Sequence, residues 1–203
     1  MPLFYQHNIN DTTKLAVWQI SENEEFFLKK VPLQKEITHP HKRLQHLAGR
    51  YLLEILEVGF PFHLIEIAGS KKPILLNSEF HFSVSHCGDY AAAIISKNKL
   101  VGIDVEIVTP KINLVKERFL RQDEINLLQE PTPALLTLFW SAKEAIYKWY
   151  GRGKASFKNN MSLNKITFEN EQGFINAHFV KDKKTELKVE FRFFGNLCLA
   201  WVL

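Results

Sequence analysis

The strongest constraint in this chain is a change in hydrophobic spacing near residue 150. From Ala134 to Tyr150 the apolar residues Leu135, Leu136, Leu138, Phe139, Ala142, Ala145, Ile146 and Trp149 recur at helical intervals and cover most of the helix surface. Past Gly151-Arg152-Gly153 the spacing shifts to alternate residues, cleanest in Leu187, Val189, Phe191 and Phe193. Strand-like runs fill 165–169, 174–180, 186–194 and 197–203. A helix apolar on most sides has little surface to give to solvent, so this half reads as a helix followed by an antiparallel meander.

The same order is expected earlier in the chain. Strands are expected at 4–9 and 15–20, the second with Ala16, Trp18 and Ile20 on one side. Ser21-Glu22-Asn23-Glu24 has the pattern of a capping box that starts a short helix. A longer helix covers 41–57, where Leu44, Leu47, Tyr51, Leu52 and Ile55 share a face, with Gly59 as its stop. Strands at 80–86, 90–96 and 100–107 are separated by Cys87-Gly88-Asp89 and Lys97-Asn98-Lys99, which reads as a three-stranded meander. A further helix is expected at 113–129. The fold class is α+β, and helix followed by meander occurs twice. This suggests an internal duplication into halves at 1–105 and 106–203, with no visible linker. The 203 residues suit one large domain or two small halves.

Composition removes several classes. At 46% hydrophobic and 24% charged residues, disorder is excluded as the main state. No apolar run approaches the ~20 residues needed to cross a bilayer, and the first residues lack a secretion signal, so the cytoplasm is expected. Cys87 and Cys198 are distant and outside any metal-ligand spacing, so both are expected as buried reduced thiols. The net charge of +4 favours anionic partners, but no basic block has the density of a nucleic-acid-binding arm.

Chemistry concentrates in three segments. In Val101-Gly102-Ile103-Asp104-Val105-Glu106-Ile107, strand geometry turns Gly102, Asp104 and Glu106 to one side and the apolar residues to the other. This places two carboxylates on one face, beside a glycine that leaves room for something large. A strand with one wet face would look the same. In Trp140-Ser141-Ala142-Lys143-Glu144-Ala145-Ile146-Tyr147-Lys148, helical spacing puts Trp140, Glu144 and Lys148 on one face. A surface Glu–Lys pair is the plain alternative, yet so apolar a helix leaves its charges in need of partners. Three carboxylates with nearby lysines suit magnesium, which takes oxygen ligands and completes its shell with substrate phosphates; the His and Cys spacing that zinc requires is missing. The third segment is Phe82-Ser83-Val84-Ser85-His86. In the expected meander Tyr90 lies between His86 and Glu106, which would then sit about 10 Å apart.

Together these segments resemble the three ordered motifs of the 4′-phosphopantetheinyl transferases, closest to the long, single-chain type that activates surfactin synthetase. Lys72-Pro73 resembles that family's Gly-Lys-Pro element, with Lys71 in place of the glycine. The resemblance runs from about residue 40 to 155. It implies two similar α+β halves related by a pseudo-two-fold, with coenzyme A in the cleft between them. It also implies transfer of phosphopantetheine from coenzyme A to a serine of an apo acyl or peptidyl carrier protein, yielding adenosine 3′,5′-bisphosphate. By the same resemblance Asp104, Glu106 and Glu144 would ligate magnesium. Glu144 would act as base, directly or through a metal-bound water, and Lys148 would neutralise charge on the pyrophosphate. Ser85 and His86 would contact the nucleotide, with Lys72 and Arg50 as further candidates. Glu124 resembles an acidic family position without an assigned role. A monomer is expected, without nucleic acid or membrane as partner. Two other readings stand beside this one: a magnesium-dependent nuclease, and a non-catalytic module that binds acidic proteins.

Overall fold

In the computed structural model, residues 3–33, 36–68, 72–75, 80–181 and 183–203 are described; Lys71 lies outside them. The chain is α+β and divides into two compact units, Met1–Val101 and Gly102–Leu203. The division falls at Val101/Gly102 rather than at 105/106, so the strand carrying Asp104 and Glu106 stays whole in the second unit. Among the described residues no helix is long and apolar enough to cross a membrane.

The first unit is a four-stranded antiparallel sheet with helices against it. Strands β1 (Leu3–Asn10) and β2 (Thr13–Gln19) form a hairpin, followed by α1 (Glu24–Leu28) and α2 (Pro40–Leu56). A small pair, β3 (Ile65–Ile67) and β4 (Pro73–Leu75), precedes β5 (His81–Cys87) and β6 (Tyr90–Ser96). The sheet order is β1-β2-β6-β5. Helix α2 buries Leu47, Ala48, Leu52, Leu53 and Leu56 in a core that includes Trp18, Phe82, Ala91 and Ala93. Its end differs from expectation: Glu57 caps it in an extended conformation, and Gly59 lies beyond. Helix α1 is capped by Asn23, whose side chain accepts from the Phe26 amide.

The second unit begins with β7 (Gly102–Ile107). Short helices α3 (Lys116–Phe119) and α4 (Gln122–Leu128) follow, then the long α5 (Pro133–Tyr150), which Gly151 ends in a left-handed conformation. Where one helix was expected over 113–129, the chain makes a 3-10 turn and two helices. Strands β8 (Met161–Glu169), β9 (Gln172–Val180), β10 (Lys184–Phe194) and β11 (Leu197–Val202) form the meander, and β11 returns to pair with β7. The sheet order is β7-β11-β10-β9-β8, and α5 packs across it.

The three-stranded meander expected over residues 80–107 is corrected here: β5 and β6 pair, but β7 does not follow them. The other edge of β6 is taken by β2, from Thr13↔Ser96 to Gln19↔Tyr90. Past Ser96, the Lys97 amide donates to Thr12 O at 3.0 Å, so the ladder runs into the β1–β2 turn instead of reversing. Tyr90 therefore sits between Cys87 and Gln19, and His86 pairs with Ala91. His86 and Glu106 do not share a sheet, so the expected spacing between them has no basis in strand pairing.

Gly102 is glycine because of α5. A Cβ at this position would strike the Ala145 carbonyl oxygen and come within 2.6 Å of Trp149 N. The room that the sequence reserves beside the acids is thus filled by helix backbone. Gly102→Ala should cost about 3 kcal/mol or more in urea unfolding, the upper range of overpacking losses. Gly59→Ala, at φ +75° with open space around it, should cost about 1–2 kcal/mol through backbone conformation alone. Equal losses at the two sites would contradict the close approach of β7 and α5.

Candidate functional site

Strand β7 presents Gly102, Asp104 and Glu106 toward α5, in agreement with the alternation. The face is not wet: Asp104 is 3% exposed, and the chain is buried from Gly102 to Val105. On the neighbouring strand Ala200 lies opposite Asp104 and Cys198 opposite Glu106. From α5, Lys148 Nζ reaches Asp104 Oδ1 at 2.7 Å, and Trp140 Nε1 donates to Glu106 Oε1 at 3.2 Å. These are the helix positions that flank Glu144 by four residues on each side.

Glu144 is held in electrostatic tension. Burial first, then the charges of Asp104 and Glu106, push its carboxyl up to about 7, while Lys148 pulls the other way. Four residues expected at one site, Asp104, Glu106, Glu144 and Lys148, therefore act on one another within the second unit. The carboxylates are not closed into a cage: among the described residues no group of three His, Cys, Asp or Glu side chains has metal-holding geometry. Like charges in a poorly solvated site repel, and the Lys148 ammonium is the cation that Asp104 holds. A donor set of three carboxylates beside an ammonium-binding oxygen is one that a hard divalent cation such as magnesium would accept.

Cys198 lies beneath this group and is fully buried. Burial, with the Asp104 charge adding to it, raises its thiol far above the ordinary value, so it stays protonated and unreactive. Cys87, likewise outside any disulfide, is only partly buried, short of the expectation.

The remaining candidates belong to the first unit. A cleft of about 510 Å³ is lined by His46, Arg50, Pro73, Phe82, Val84 and His86, among others. Arg50 is 9% exposed; its Nε donates to His46 Nε2 at 2.8 Å, and its guanidinium lies 5.7 Å from the Phe62 ring centre. Burial lowers the Arg50 pKa. His86 is exposed at the cleft, and Ser85, its neighbour on β5, is buried. Lys72 sits close enough to His81 for its charge to add to the burial that lowers the His81 pKa. His86 and Arg50 thus meet at one cavity; Ser85 and Lys72 are not among its lining residues.

A family model described as the 4′-phosphopantetheinyl transferase superfamily matches residues 100–201, which spans β7, α5 and the whole meander. The chain belongs to that superfamily. The 4′-phosphopantetheinyl transferase psf-1 of Bacillus pumilus is 36% identical over 95 residues, covering 44% of this chain and 40% of that protein. Enterobactin synthase component D of Salmonella typhi is 33% identical over 114 residues, covering 53% and 47%. A putative 4′-phosphopantetheinyl transferase of Haemophilus influenzae is 29% identical over 131 residues, covering 60% and 55%. The chain thus matches about half the length of these superfamily relatives.

Two features of this superfamily member escaped the sequence reading. Lys143 is fully buried, with Nζ bonded to Glu124 Oε2 at 2.7 Å, Phe119 O at 2.8 Å and Phe157 O at 2.9 Å. The Trp140–Glu106 bond is the other. A lysine on a helix that is apolar on most sides was the available signal for the first.

The position of Glu144 sets a pH dependence. An unfolded glutamate ionises near 4.5, and folded Glu144 near 7, so the folded chain holds the proton more tightly. Its effect on stability vanishes below 4.5 and grows destabilising as pH rises through 7, to on the order of 2–3 kcal/mol. In a chelating buffer, wild type should lose stability relative to Glu144→Gln between pH 4.5 and 8, read by urea unfolding. A constant difference across that range would contradict the raised value.

Proposed function

We propose that this chain transfers the 4′-phosphopantetheine group of coenzyme A to a serine of an apo acyl or peptidyl carrier protein, in a magnesium-dependent cytoplasmic reaction that releases adenosine 3′,5′-bisphosphate. The observation that carries this reading is the meeting of Glu144 and Lys148 on α5 with Asp104 and Glu106 on β7. The relatives named 4′-phosphopantetheinyl transferases support the group transferred, and the enterobactin synthase component supports a biosynthetic synthase as the setting.

Asp104, Glu106 and Glu144 are the proposed ligands of the cation. Bound magnesium would supply charge neutralisation at the coenzyme A pyrophosphate and orient its oxygens. Glu144, whose proton affinity is raised toward neutral pH, is suited to take the proton from the serine Oγ. As Oγ forms its bond to the phosphorus of the 4′-phosphate, the bond from that phosphorus to the bridging oxygen breaks. The departing bisphosphate takes the electron pair, and Lys148 is the ammonium that offsets its charge. In the first unit His86 and Arg50, which line the cleft, are the proposed contacts for the adenosine 3′-phosphate part of coenzyme A, with Ser85 next to His86 and Lys72 next to the lining residue Pro73 as further candidates. The +4 net charge suits a carrier protein with acidic surroundings at its serine.

Incubation with coenzyme A, magnesium and an apo carrier protein should add the mass of phosphopantetheine to the carrier, read by intact mass spectrometry. Asp104→Ala and Glu144→Ala should abolish this gain while leaving circular dichroism unchanged. His86→Ala should raise the coenzyme A KM with a smaller effect on kcat. Carrier binding without mass gain by wild type would favour the non-catalytic module instead, and full turnover by Glu144→Ala would overturn the assignment of the base.

A further inference from the structure

Buried ion pairs are costly, since two ions must leave water, so one retained in full needs a reason other than raw stability. Lys143 and Glu124 are 0% and 1% exposed at the side chain. All three Lys143 donors are satisfied, and Glu124 also accepts from the backbone amides of Arg121 and Leu163, each at 2.9 Å. The pair therefore ties α5 to the end of α3, the start of α4, the segment at Phe157 and β8.

Two of those ties have a second consequence. Phe119 and Phe157, whose carbonyls accept from Lys143, are the residues whose rings flank Trp140. The Phe119 ring meets the indole at 5.3 Å and 76°, and the Phe157 ring at 5.5 Å and 57°. Trp140 lies one helical turn before Lys143 and Glu144, and ring packing on two sides restrains the indole. The atom left to point at β7 is Nε1, which donates to Glu106 Oε1 at 3.2 Å.

We propose that Trp140 is a positioning residue for Glu106: its clamped N–H fixes one carboxylate oxygen and so aims the other toward the cation that Glu106, Asp104 and Glu144 would share. This rests on the functional reading above and adds to it the group that orients one ligand. A glutamate side chain has three torsions, and a repelling neighbour such as Asp104 would otherwise turn the carboxylate aside. The indole is suited to the task because it donates without carrying charge, so it does not compete with the cation.

Trp140→Phe keeps an aromatic ring between Phe119 and Phe157 and removes the donor together with part of the ring volume, and the Glu106→Gln background separates the two losses. Manganese binding to the full-length protein, with coenzyme A present, should be followed by electron paramagnetic resonance in wild type, Trp140→Phe, Glu106→Gln and the double variant. Trp140→Phe should weaken manganese about 10-fold or more, as loss of a partner that orients a ligand does elsewhere, with circular dichroism unchanged. Placed on Glu106→Gln, the same substitution should produce no further weakening, because the group it orients is already lost. Wild-type affinity in Trp140→Phe, or an equal loss in both backgrounds, would overturn the positioning role while leaving the functional reading standing. Wild type and Glu106→Gln binding manganese alike would remove Glu106 from the ligand set, and both readings would fall together.

Discussion

Helix α5 runs so close to β7 that no side chain fits at residue 102, and the chemistry of the second unit depends on that approach. With a Cβ at Gly102 the helix would have to lift, and the 2.7 Å contact from Lys148 to Asp104 would open with it. The helix is held from its other side as well, by Leu136, Phe139, Ala142 and Ile146 in a core shared with Met161, Ile175, Val189 and Phe191. Hydrophobic burial supplies the force, glycine permits the distance, and the polar groups take their spacing from both. The residues opposite the acids on the neighbouring strand, Cys198 and Ala200, are small.

Within that frame the charges oppose one another. Three carboxylates in a site with little water resist joint ionisation, which is why Glu144 titrates near neutral pH. Lys148 offsets part of the repulsion. A site in this condition gains free energy from any added positive charge, and Glu144 keeps its proton up to about pH 7. Both properties follow from burial and proximity.

Much of this could be read from residue order, because the signals were local. Alternation in 101–107 put Asp104 and Glu106 on one face, and helical spacing put Trp140, Glu144 and Lys148 on another; the structure brings those two faces together. The partner of β7 could not be read, since pairing with β11 joins residues about a hundred positions apart and leaves no local trace. Lys97-Asn98-Lys99 looked like a hairpin turn, but the Lys97 amide is committed to Thr12, a contact that depends on tertiary structure. The stretch at 113–129 has helical spacing yet breaks at Leu120 and Arg121, where the backbone is extended and Glu124 caps the next helix. Lys143 reads as a surface residue by type and becomes internal only because Glu124 and two carbonyls surround it.

The central claim is that Asp104, Glu106 and Glu144 share one divalent cation. Crystals grown with coenzyme A and manganese, measured at the manganese absorption edge, test it directly. The account predicts one anomalous peak within about 2.0–2.4 Å of an oxygen from each of the three carboxylates, the range of hard-cation contacts, with Lys148 Nζ withdrawn from Asp104. A peak elsewhere, or none while Lys148 keeps its bond to Asp104, would contradict it.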